Sequence, residues 1–201
     1  MHKHYPGKEM GKKALYDAIG GGLKGGDTKF WLDNSCAVRM SYALLRSGFN
    51  LPRTSDHEAS KFGADRKWYW LRVADLRAEL YARLKGFDAE LTFDLLDDGL
   101  VDDEAELTVH YEERKEKVKD FFRAKLVSKS GIIVFKVKGW GNASGHFTLW
   151  DGTARTLAYA PGHDDSSERS FYPWLTDVQT DKKTGVRSLV QVVQIQFWEL
   201  K

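Results

Sequence analysis

At 201 residues, with 42% of them hydrophobic and 13% aromatic, the chain is long enough for one large domain with a sizeable core. Its 31 Lys and Arg stand against 29 Asp and Glu, and a formal charge of +2 gives no field that would favour nucleic acid or an anionic membrane as partner. One cysteine, Cys36, excludes an intramolecular disulfide. The opening MHKHYPGKEMGKK lacks the apolar run of a secretory signal, and no stretch approaches the ~20 apolar residues of a membrane span. The expectation is a protein made in the cytoplasm and carried elsewhere only by a route other than general secretion.

In chain order, residues 14–30 hold a Gly-rich stretch, Gly20 to Gly26, that reads as a loop. It is not a phosphate-binding loop, because Gly26 is followed by Asp27 where Lys and Ser or Thr are needed. Asn34 and Ser35 are cap residues, and Ala37, Met40 and Leu44 then recur at helical spacing until Ser47-Gly48, so a helix over 36–46 begins at Cys36. A second amphipathic helix is predicted over 66–84, with Tyr69, Val73, Leu76 and Leu80 on one face and Lys85-Gly86 as its stop. Trp68 and Trp70 read there as packing residues. Residues 87–106 read as an acidic loop or short irregular element, and 105–126 as a highly charged third helix.

Beyond that helix the pattern turns to strands. Residues 132–138 and 145–150 are apolar runs, Asp151-Gly152 signals a two-residue hairpin into 155–159, and 188–198 is rich in Val, Ile and Gln. Helices first and strands after predict an α+β fold with helices packed on an antiparallel sheet. The domain expectation is one unit over 1–201 with a charged helical insertion at about 87–125.

Two residues invite chemistry. A thiol at a helix N-terminus meets exposed N–H groups and the positive end of the helix dipole, which favour a thiolate and can face a developing oxyanion. The segment Gly139-Trp140-Gly141-Asn142-Ala143-Ser144-Gly145-His146 places His146 at the start of a strand, where an imidazole could take the thiol proton and hand it to a leaving amine. His2, His4, His57, His110 and His163 read as solvated surface groups. No zinc signature exists: His57-Glu58 lacks the second histidine, and one cysteine with scattered histidines makes no closed site. No cofactor is expected.

The strings Asn34-Ser35-Cys36-Ala37-Val38-Arg39-Met40-Ser41-Tyr42-Ala43-Leu44, Gly145-His146-Phe147-Thr148-Leu149-Trp150-Asp151-Gly152 and Phe197-Trp198-Glu199-Leu200 resemble the type VI secretion amidase effector 4 family. Tyr16-Asp17-Ala18-Ile19-Gly20-Gly21 and Gly131-Ile132-Ile133-Val134-Phe135 add to that resemblance, which spans most of the chain apart from about 87–125 and 160–185. It implies a papain-like fold of the NlpC-type cell-wall peptidases. It further implies a DL-endopeptidase that cuts the bond between γ-D-glutamate and meso-diaminopimelate in peptidoglycan stems. Such a toxin is delivered by the type VI machinery to the periplasm of target cells and held in check by a cognate immunity protein. Carried over, Cys36 is the nucleophile and His146 the base.

The family's third, acidic residue does not carry over. Across a two-residue Asp151-Gly152 hairpin the residue facing His146 is Leu157, which cannot hold an imidazole, and Asp151 lies roughly 16 Å along the strand. Asp164 ranks first for the role, with Asp165 beside it and Asn142 as a further candidate; a backbone carbonyl or water could also orient the ring. Two other functions stay open on sequence: a transglutaminase-like acyl transferase, which uses the same residue order, and a catalytically inactive secreted binding module with Cys36 in its core.

Overall fold

The computed structural model describes residues 1–26, 34–141, 143–181 and 184–201. By their contacts these fall into two compact units, one of residues 1–86 with 147–149 and one of residues 87–146 with 150–201.

The first unit is built on helices. Helix α1 (Lys12–Ile19), which the sequence reading did not assign, buries Leu15, Tyr16 and Ile19 just before the Gly-rich stretch read as a loop. Helix α2 (Cys36–Arg46) begins and ends where the cap residues place it. Ser47 N–H returns to the Ala43 and Leu44 carbonyls, and Gly48 takes the left-handed φ of +89° that follows a helix end. Buried residues lie all round α2, including Ala37, Val38, Met40 and Leu44, so it is an enclosed helix. Among them is Arg39, with no exposed surface. Its guanidinium donates to the carbonyls of Pro6 (2.9 Å), Gly7 (3.2 Å) and Met10 (2.8 Å) and to Ser35 Oγ (3.2 Å). A buried cation thereby ties residues 6–10 to the start of α2.

The expected helix over 66–84 is shorter. Strand β1 (Ser60–Phe62) pairs antiparallel with β2 (Trp68–Trp70), and the helix α3 spans only Val73–Leu84. Three consecutive aromatics favour a pleated, half-buried strand over a helix, and Gly63 N–H bonded to the Lys67 carbonyl closes the hairpin between them. The stop is as read: Lys85 is left-handed at φ +59° and Gly86 follows at +111°.

The second unit carries the sheet. Its strands are β3 (Ala89–Thr92), β4 (Ser130–Lys138), β5 (Gly145–Asp151), β6 (Thr156–Leu157), β7 (Thr176–Thr180) and β8 (Arg187–Glu199), in the order β3-β8-β4-β5-β6 with β7 also on β8. Strand β8 pairs antiparallel with β4 along its length, while β7 takes its first half and β3 its second. The α+β expectation with an antiparallel sheet holds. β3 and β7 were not legible as strands, and the strand expected over 155–159 shrinks to two residues.

Helix α4 (Glu104–Phe121) is capped by Asp103, whose carboxylate accepts from Glu106 N–H at 2.9 Å, and passes into a π-helical turn, Phe122–Leu126. Despite its charge it buries Leu107, Tyr111, Arg114 and Val118, one stripe at helical spacing. Tyr111 and Val118 join Ile133, Phe135, Val192 and Phe197 in the main core of this unit. Arg114 is satisfied by the Asp94 carbonyl (2.5 Å), the Val192 carbonyl (3.2 Å) and Gln191 Oε1 (3.0 Å), and burial pulls its pKa down to about 10.

Arg39→Met nearly keeps the side-chain volume but strands one buried and two part-buried carbonyls, and is expected to cost on the order of 3 kcal/mol in urea unfolding. A cost near zero would mean the tether adds nothing.

Candidate active site

Cys36 opens α2 and is buried, with 7% of its surface exposed. Burial pushes its thiol pKa up. Backbone N–H groups of Phe147, Ala37 and Cys36 itself, and the positive charge of Arg39, pull the other way without winning. The sequence expectation that the helix start would make this thiol acidic is therefore corrected: desolvation outweighs the helix end. Phe147 is fixed on its other side, since its carbonyl accepts from the Tyr5 hydroxyl at 3.2 Å.

In the second unit, His146 is the second residue of β5. Gly145 precedes it because a Cβ there would stand 2.2 Å from the Phe135 carbonyl, so only glycine lets β5 draw this close to β4. The imidazole is 6% exposed, and Nε2 lies 2.9 Å from the Tyr159 carbonyl. A carbonyl only accepts, so Nε2 carries the hydrogen and Nδ1 is the ring's accepting nitrogen in the neutral form. The ring face is fixed as well. Tyr172 stacks on it at 4.3 Å between centroids and 14° between planes, and Phe135 stacks on Tyr172 at 5.4 Å and 11°. Trp140 meets the edge of Tyr172 at 5.8 Å. One carbonyl sets the ring in its plane and one phenol sets the plane.

His163 is not the solvated group expected. It is half-buried, 4.5 Å from the Tyr172 ring, with Nδ1 on the Ser170 carbonyl at 2.6 Å. Asp164 follows it, half-buried in the same loop. Asp165 is exposed, and its Oδ1 accepts from the Ser167 N–H (2.8 Å) and hydroxyl (2.6 Å), which hold its pKa down. Asn142 lies outside the described residues. The assumed hairpin register is corrected: Leu157 pairs with Trp150, not with His146, because the turn is the longer Gly152–Arg155. Asp151 closes that turn by accepting from Thr153 and Ala154 N–H.

Tyr159 and Tyr172 were missed. Tyr159 acts through its carbonyl, to which side-chain chemistry gives no clue. Tyr172 sits in Phe171-Tyr172-Pro173-Trp174, an apolar run inside an otherwise polar loop, and that contrast was the available signal. Among the described residues no group of His, Cys, Asp and Glu is placed to hold a metal ion.

N-terminal helices and an antiparallel sheet, with a buried cysteine on a helix and a braced histidine on a strand, are the elements of a papain-like amidase fold. Residues 32–198 match the family described as type VI secretion system (T6SS), amidase effector protein 4, and the chain belongs to that family. It is thus a type VI amidase effector, an antibacterial hydrolase acting on peptidoglycan. The chain is similar to the type VI effector Tae4 from Enterobacter cloacae, at 23% identity and a TM-score of 0.61 over 96% of this chain and 89% of that one. It is also similar to Tae4 from Salmonella typhimurium, solved in complex with the immunity Tai4 from Enterobacter cloacae, at 25% identity and a TM-score of 0.59 over 94% and 89%. The same Salmonella effector in its own Tae4–Tai4 complex matches at 25% identity and a TM-score of 0.55, over 93% and 88%. No curated protein matches.

Tyr172→Leu removes the stacking partner and is expected to lower kcat on peptidoglycan fragments roughly tenfold or more with KM little changed, whereas Tyr172→Phe restores it. In the proton spectrum the imidazole signals of His146 lose their ring-current shift in the Leu variant only. Equal losses in both variants would refute a stacking role.

Proposed function

We propose that Cys36 and His146 form a nucleophile and general base that cut the γ-D-glutamyl–meso-diaminopimelate bond of peptidoglycan stems. The observation that carries this is the hydrogen bond from the Phe147 backbone to the Cys36 sulfur. His146 is joined to Phe147 through one peptide bond, with Cα atoms about 3.8 Å apart, so the residue facing the thiol is the imidazole's immediate neighbour in the chain. The tautomer also fits, since Tyr159 takes the Nε2 hydrogen and leaves Nδ1 as the accepting nitrogen.

His146 takes the thiol proton as Cys36 Sγ bonds to the γ-carbonyl carbon. The oxyanion that forms is met by backbone N–H groups in the first turn of α2. His146 then passes its proton to the diaminopimelate amine as the C–N bond breaks, leaving a thioester. Water, deprotonated by His146, breaks the thioester and restores the thiol. Over one cycle the proton given to the amine is replaced by one from water, and no cofactor enters. Because burial raises the thiol's pKa, a base that takes its proton is a necessity here. Asp164 is the carboxylate proposed for the third position, in addition to the Tyr159 carbonyl that already holds the ring. The similar Salmonella effector is solved in complex with an immunity protein. By that likeness this chain acts in the periplasm of target cells after type VI delivery and is neutralised by a cognate immunity partner.

Mass spectrometry of stem fragments provides the test. The wild-type protein is expected to release a free diaminopimelate amine, and Cys36→Ala and His146→Ala to lower that rate by 10³-fold or more. Joined peptides with no new amine would instead mean acyl transfer to an amine. Cleavage that survives Cys36→Ala would remove the cysteine mechanism. Asp164→Asn separates two ways of holding the ring: a fall of about 10⁴-fold in kcat makes the carboxylate indispensable, and a fall below tenfold leaves the task to the Tyr159 carbonyl.

A further inference from the structure

The second unit contains a cavity of about 340 Å³ that the chemistry above does not use. Phe122, Trp150, Phe171 and Trp174 face it, and Val118 and Val127 extend the apolar lining. The rings are braced in pairs, Phe122 on Trp150 and Phe171 on Trp174, each with centroids 4.7 Å apart, so the wall is preformed. Both indole N–H groups are already spent on backbone carbonyls, Trp150 on Leu126 and Trp174 on Glu168, each at 3.2 Å. Among the described residues Ser166 is the only uncharged polar side chain in the lining.

Three cations, Lys119, Arg123 and Arg155, complete that lining. Lys119 and Arg123 are paired with Glu116 and Asp120. Arg155 is different: it is exposed, and among the described residues no ion pair engages it. Its place is set by the turn that carries it. Asp151 accepts from the Thr153 and Ala154 N–H groups, and Gly152 packs where a Cβ would stand 2.3 Å from the Lys129 carbonyl. Arg155 itself sits at φ +57°, a region that few residues other than glycine adopt, so backbone geometry sets its direction.

An unpaired cation beside an apolar cavity suits a ligand with an apolar body and one negative charge. A dianion such as a phosphate monoester would meet the carboxylates of Glu116 and Asp120 with a single uncompensated cation to hold it, whereas a monocarboxylate is matched by Arg155 alone. A small organic cation, which an aromatic wall could otherwise attract, is disfavoured by the arginine. What the wall lacks narrows the body of the ligand. A sugar ring or a peptide brings hydroxyl or amide groups whose burial without partners is costly, and with both indoles engaged only Ser166 is left to meet them. A hydrocarbon chain brings none. At about 30 Å³ for each water-sized group, the cavity has room for roughly ten methylenes.

We infer that this cavity is a binding site for a single-chain fatty acid of medium length, with the chain on the aromatic wall and the carboxylate on the Arg155 guanidinium. The site shares no lining residue with the Cys36 and His146 pair, and it does not depend on the bond proposed for them. Deacylation of lipids is the class of reaction that supplies such a ligand.

Full-length wild-type protein is titrated by calorimetry with hexanoate, octanoate and decanoate, each below its micelle concentration, and with octan-1-ol. Each added methylene is expected to tighten binding roughly fourfold as far as decanoate. Octanoate is expected to bind roughly tenfold more tightly than octan-1-ol. Arg155→Asn removes the charge but keeps a residue that tolerates positive φ, and it brings the ratio of octanoate to octan-1-ol toward one. Ser166→Trp, at an exposed position of the lining, narrows the cavity and ends the gain with chain length before decanoate. Affinities that do not rise with chain length, a carboxylate preference that survives Arg155→Asn, or a chain-length gain unchanged in Ser166→Trp would each overturn the site.

Discussion

A buried thiol ionises only if something takes its proton, and at Cys36 desolvation defeats the N–H groups and the nearby Arg39 that would otherwise stabilise a thiolate. Under the proposed pairing, that constraint makes a helix start insufficient for nucleophilic chemistry and calls for an imidazole held ready. It also gives Arg39 two tasks. Its three carbonyl bonds lock residues 6–10 onto α2, and its charge, one turn from the sulfur, offsets part of the burial penalty.

The imidazole is held by a backbone carbonyl and a stack of uncharged aromatic rings. The Tyr159 carbonyl fixes the tautomer at 2.9 Å, and the Phe135–Tyr172–His146 stack fixes the ring plane. A carboxylate in the same place would raise the basicity of the ring as well as orient it; a carbonyl orients it with a weaker electrostatic effect. Positioning and proton affinity are thus separable in this fold, and the proposed Asp164 carboxylate would act on the second. Stacking on a phenol adds a further term, because an imidazolium is attracted to an aromatic face more than a neutral ring is.

The helix that starts at Cys36, the strand that starts near His146 and the long last strand were legible because cap residues, glycines and apolar periodicity agree there. The helix over 66–84 was over-extended because Tyr69, Val73, Leu76 and Leu80 mimic helical spacing, while Trp68-Tyr69-Trp70 has a local strand preference that the hairpin with β1 realises. β3 and β7 are half-exposed strands on β8, and their mixed polarity hides them from any apolar count. The register at Asp151-Gly152 failed because the turn runs to Arg155, which slides Leu157 from His146 to Trp150 and shows how one loop length decides a whole face. Nothing in a side-chain reading reveals a backbone carbonyl as the imidazole's partner, so Tyr159 could be found only in three dimensions.

The most direct measurement is the alkylation rate of Cys36 by iodoacetamide as a function of pH, in wild-type protein and in His146→Ala. A working pair predicts a wild-type thiolate that already reacts at about pH 6, as in other imidazole-paired cysteines. In His146→Ala that reactivity should vanish at low pH and return only above the ordinary thiol range, the direction in which burial moves the group. Superimposable profiles in the two proteins would contradict the pairing of Cys36 with His146.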